Sequence, residues 1–88
     1  MATKHEILNT YWNEYLEHAT RQQLLDFANQ GDCEAQFRVA ENYWYGNNGF
    51  KEDERKAIEW YQKAAFQGHE KAIEELKDFK DMDLIEKI

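Results

Sequence analysis

One spacing restricts what this chain can fold into more than any other feature. Ala28, Gly31 and Ala35 return as Ala65, Gly68 and Ala72 after a shift of 37 residues. The triplets that end in these glycines recur in kind, Asn29-Gln30-Gly31 and Phe66-Gln67-Gly68. Self-similarity at a period of roughly 20–50 residues marks stacked supersecondary units, each too small to bury its apolar face alone. Between the two glycines, two segments with helical apolar spacing flank the turn-rich run Gly46-Asn47-Asn48-Gly49. The chain has no proline and only four glycines, so little interrupts a helix. An all-α chain follows.

Taken in order, the pattern predicts five helices, near 4–18, 20–30, 33–45, 54–67 and 69–80. On the first, Ile7, Leu8, Tyr11, Trp12, Tyr15, Leu16 and Ala19 share one half of the wheel. Thr20-Arg-Gln-Gln23 has the form of a capping box and opens a second helix striped with Leu24, Leu25, Phe27 and Ala28. Asp32 is the expected cap of the third helix. That helix has two apolar flanks, Ala35, Val39 and Tyr43 on one and Phe37, Ala40 and Trp44 on the other. A helix apolar over more than half its circumference lies between neighbours. Its remaining strip is Glu34, Arg38, Glu41, Asn42 and Tyr45. Phe50 is expected to fold back as a plug, and Asp53 to cap the fourth helix, where Trp60 is expected to anchor the core. On the fifth helix Ala72, Ile73, Leu76 and Phe79 form a narrow stripe, while Glu74 and Lys77 take the second flank, as a terminal cap requires.

These residues carry a resemblance. Ala35, Val39, Ala40, Tyr43 and Gly46, then Gly49, Phe50 and Asp53, then Lys56, Ala57, Trp60, Tyr61, Lys63, Ala64, Ala65, Gln67, Gly68 and Ala72 resemble one complete Sel-one-like repeat. That family is related to the tetratricopeptide repeats, stacked αα-hairpins that mostly bind other proteins. The loop has one residue more than the family's G-x-G, and Ala40 stands where the family prefers glycine. The resemblance implies a short α-solenoid of about two and a half hairpins. It forms a single domain, 1–88, with an N-terminal hairpin over 4–30, the repeat over 31–68 and a capping helix with tail over 69–88.

Charge and cysteine usage narrow the function. Eighteen acidic against eleven basic residues give a net charge of −7, which disfavours a nucleic-acid binder and suits a soluble protein, or one whose partner is basic. The single cysteine, Cys33, excludes an intramolecular disulfide and reads as a small apolar residue. No apolar run follows Met1 and no stretch approaches membrane-spanning length, so a reducing cytoplasm is the expected setting and no membrane partner is expected. His5, His18 and His69 read as solvated surface histidines, without metal-ligand spacing. The acidic clusters fit helix starts and solvated faces. No catalytic residue, cofactor or metal is expected.

A protein-interaction module is what the resemblance implies. Its expected partner-binding residues are Glu34, Arg38, Glu41, Asn42 and Tyr45 on the third helix, with Trp12 at the edge of the first. The alternative is a small acidic inhibitor, of the immunity or anti-defence type, that blocks a basic nucleic-acid-binding enzyme by charge mimicry. Leu84, Ile85 and Ile88 are expected to make an amphipathic tail that folds back or seals against a second chain. The balance falls on a homodimer through the C-terminal cap.

Overall fold

The structure, a computed structural model, describes residues 4–81. Five helices follow one another: α1 (Lys4–Glu17), α2 (Arg21–Asn29), α3 (Cys33–Tyr45), α4 (Glu54–Phe66) and α5 (Glu70–Asp81). The described residues contain no strand. Ile7 and Leu8 of the expected α1 stripe, and the tail residues Leu84, Ile85 and Ile88, lie outside the residues whose side chains are described.

Local chemistry starts each of the middle helices. The Thr20 hydroxyl accepts from the Gln23 N–H at 3.2 Å while the Gln23 side chain accepts from the Thr20 N–H at 2.9 Å, which satisfies two backbone donors at once. Asp32 accepts from the Ala35 N–H at 2.8 Å, and Asp53 from the Lys56 N–H at 3.0 Å. α3 stops at Gly46, whose φ of 70° lies in the left-handed region. Any Cβ there would also stand 3.2 Å from the Glu52 Cβ and 3.3 Å from its nitrogen, so this turn requires glycine.

The core forms two clusters, and α3 belongs to both. Ala35 and Val39 pack with Leu16, Ala19, Leu24, Ala28 and Phe50. Phe37 and Ala40 pack with Ala57, Tyr61, Ala64, Ala72, Leu76 and Phe79. Tyr43 and Trp60 lie against both clusters. The small residues let α3 and α4 approach closely, and large rings fill the space beside them. Phe37 meets Tyr61 at 5.6 Å between centroids, and Trp44 stacks on Phe79 at 4.5 Å. Phe50 plugs the α3–α4 hairpin, with its ring at 4.8 Å from Tyr43 and the Arg21 guanidinium over it at 5.4 Å.

Three expectations are corrected. Tyr61, 2% exposed, is the fully buried ring of α4, while Trp60 is half-buried and carries the Lys63 ammonium 4.2 Å above its ring. Tyr11 and Tyr15 are exposed although they share the wheel half of Leu16. The α2 ring available to α1 is Phe27, and Trp12 lies closer to it, at 4.8 Å against 5.8 Å for Tyr15. His69 is no solvated histidine: its side chain is only 10% exposed, stacked on Phe37 at 4.6 Å.

Candidate partner-binding face

With two flanks of α3 buried, its third side is the only one left to solvent, and it carries Glu34, Arg38, Glu41, Asn42 and Tyr45. The Glu34 carboxylate is held twice. Arg38, one turn on, donates Nε to Oε1 at 3.2 Å, and His69 Nε2 lies 2.6 Å from Oε2. His69 Nδ1 accepts the Ala72 N–H at 3.2 Å, so the neutral ring carries its proton on Nε2 and donates it to Glu34. One histidine thus caps α5, packs on Phe37 and orients a carboxylate of α3. The Arg38 side chain is in turn directed by Glu34, an i,i+4 pair in the order that helices favour.

Glu41 differs. Burial is the main cause that lifts its carboxyl above the ordinary 4.5; Arg38 opposes this, Glu34 and Glu75 add to it, and Lys71 opposes it. No ion pair or side-chain hydrogen bond engages it among the described residues. Beneath it, burial raises the Tyr61 phenol, and Glu41, Glu75 and Tyr45 push it the same way. Glu41 therefore sits at the middle of the face, within electrostatic reach of both α3 neighbours and α5.

Two clefts lie along the seam between α1 and α3. The first, about 240 Å³, is lined by Trp12, Asn13, Asp32, Cys33 and Glu34. The second, about 420 Å³, is lined by Leu16, Glu17, Leu24, Arg38, Glu41, Asn42 and Asn48. Five of the six expected residues thus line two neighbouring clefts. Tyr45, 64% exposed, lines neither and stands in solvent at the C-terminal end of the strip. Asn48 belongs to the loop with the extra residue. Its side chain donates to the Ala19 carbonyl at 3.1 Å, tying that loop to the α1–α2 turn and placing it in the second cleft.

A family model of the Sel1 repeat matches residues 33–69. The match spans α3, the loop and α4 and ends at His69, the residue that caps α5. Sel1 repeats generally mediate protein–protein interaction. No curated protein and no solved structure matches the chain at a significant level.

Sequence reasoning passed over Phe66, which is 93% exposed. It lines an open cleft of about 510 Å³ with Gln36, Glu59, Gln62, Lys63 and Gln67. The signal was present, because its helical neighbours at i−3, i−4 and i−7 are Lys63, Gln62 and Glu59, all polar. Among the described residues no group of three or more His, Cys, Asp or Glu is placed to hold a metal ion, and no helix is long and apolar enough to cross a membrane.

Proposed function

We propose that the chain is a non-enzymatic interaction module that binds a partner protein across the polar side of α3, through Glu34, Arg38, Glu41, Asn42 and Tyr45, with Trp12 at the rim. The observation that supports this is the packing of the presenting helix into both core clusters. α3 is buried on two flanks, and Glu34 and Arg38 are already oriented by His69 and by each other. Side chains ordered before binding lose little entropy on binding. Tyr45 adds a rigid, exposed aromatic ring, and Arg38 a planar donor group, both residue types that dominate interface energetics.

In this reading the partner is a protein, nucleic acid is not bound directly, the compartment is the cytoplasm, and Leu84, Ile85 and Ile88 leave room for a homodimer through the C-terminal end. The acidic-inhibitor alternative draws on the net charge of −7; it requires binding that collapses with salt and competes with nucleic acid.

The test is affinity capture with the wild-type chain, followed by affinity measurement with the double variant Arg38→Ala/Tyr45→Ala. The expected result is an unchanged helical signal and a loss of at least about 2 kcal/mol in partner affinity. Binding that survives both changes overturns the reading.

A further inference from the structure

Along the strip of α3, Glu34 and Arg38 already have partners inside the fold, and Glu41 has none among the described residues. Its surroundings describe what would complete it. The groove it lines is mostly polar at its surface, with the buried side chains of Leu16 and Leu24 beneath it. Its rim carries two carboxylates, Glu17 and Glu41, and the amides of Asn42 and Asn48. The Asn48 Nδ2 is held by the Ala19 carbonyl, which leaves its Oδ1 as an acceptor. Arg38 also lines the groove, but its Nε is held by Glu34 at 3.2 Å.

A polar groove lined by carboxylates and amide oxygens matches the cationic head of a basic side chain. We propose that this groove receives a lysine or arginine side chain from a segment of the partner protein that crosses α3, and that Glu41 is the carboxylate that pairs with its charge. The inference rests on the reading of α3 as a partner surface, and it names the chemistry that surface selects. Charge complementarity carries it. Glu17 and Glu41 at the rim and Glu75 on α5 repel an anionic segment, and a wholly apolar one would leave Glu41 desolvated and unpaired, which is costly. Burial already holds the Glu41 carboxyl above its ordinary range, a strain that a bound cation relieves.

The test uses three short capped peptides of alanine interspersed with lysine, norleucine or glutamate, titrated into the isotope-labelled full chain and followed by amide chemical shifts. The lysine peptide is expected to move Leu16, Glu17, Glu41 and Asn42 and the side-chain amide of Asn48, while the other two leave them in place. Glu41→Gln is expected to weaken that binding about tenfold, and Glu54→Gln, at the exposed start of α4, to leave it unchanged. Shifts spread evenly over Glu54, Glu70 and Glu74, an equal response to norleucine, or indifference to Glu41→Gln would overturn the proposal. Any of these together with a partner lost in the Arg38→Ala/Tyr45→Ala variant discards the cation site and leaves the broader surface standing.

Discussion

The side-chain amide of Gln67 donates to Gln36 Oε1 at 2.9 Å and to the Gly31 carbonyl at 2.8 Å. Gln36 in turn donates its Nε2 to the Ala28 carbonyl at 3.1 Å. One chain of amides therefore ties the end of α4 to the α2–α3 turn, across the two glycine corners that define the internal spacing. Gln36 is the one buried polar side chain of the described core, at 6% exposure, and it is satisfied on both sides.

Gln36→Ala is expected to cost about 1–3 kcal/mol, because the Ala28 carbonyl and the Gln67 amide both lose a partner. Gln67→Ala, at an exposed position, should cost roughly 1 kcal/mol, since water replaces part of what is lost. Urea denaturation of the two variants checks the order; equal costs would show that Gln36 is not the anchored member.

Tyr61 and Trp60 separate in the same way. Truncating a buried large aromatic costs about 3–5 kcal/mol, much of the roughly 5–15 kcal/mol that holds a small domain together. Tyr61→Ala should be largely unfolded at room temperature, and Trp60→Ala should fold with a lowered melting temperature. Circular dichroism on both decides it, and a folded Tyr61→Ala would contradict the packing of α4.

These contrasts show what was legible from the residues in order. Thr20, Asp32 and Asp53 announce helix starts because capping is local, three residues long. The two flanks of α3 were readable because a 3.6-residue period leaves a double stripe when a helix is covered twice, and Phe50 was readable as the one apolar residue in a polar loop. The choice between Trp60 and Tyr61 was not, since neighbours 100° apart can both lean toward a core and only the position of α5 decides. His69 and Glu34 are 35 positions apart, and Gln36 and Gln67 are 31 apart, so no local pattern could pair them. Of the candidate face, the polar strip was legible; the α1–α3 groove and the lack of a partner for Glu41 among the described residues needed the packed helices.

Glu41 makes a prediction about pH. Its carboxyl is raised above the ordinary 4.5 in the folded state, so the folded chain holds this proton more tightly than the unfolded chain does. Folding is then favoured by protonation, and stability from this group falls as pH rises from 4.5 through the raised value. Glu41→Gln removes the ionisation and keeps the shape. The variant should melt no lower than the wild type at pH 7, and the difference in its favour should vanish below pH 4.5. A variant that melts well below the wild type at pH 7 would mean that the charged carboxylate is stabilised by the fold.

Asn48 allows two effects to be separated at one position. Its φ of 55° lies in the left-handed region, which asparagine tolerates and alanine does not, at a cost of roughly 1–2 kcal/mol. Its side chain also holds the Ala19 carbonyl, a bond whose net contribution is about 1 kcal/mol. Asn48→Gly gives up the bond and relieves the backbone, so it should cost less than about 1 kcal/mol. Asn48→Ala gives up the bond and adds strain, so it should cost about 2 kcal/mol or more. Denaturant midpoints of the two variants measure the gap directly. If alanine is tolerated as well as glycine, the left-handed turn at Asn48 is not maintained in solution, and its amide is not held at the rim of the groove beside Glu41.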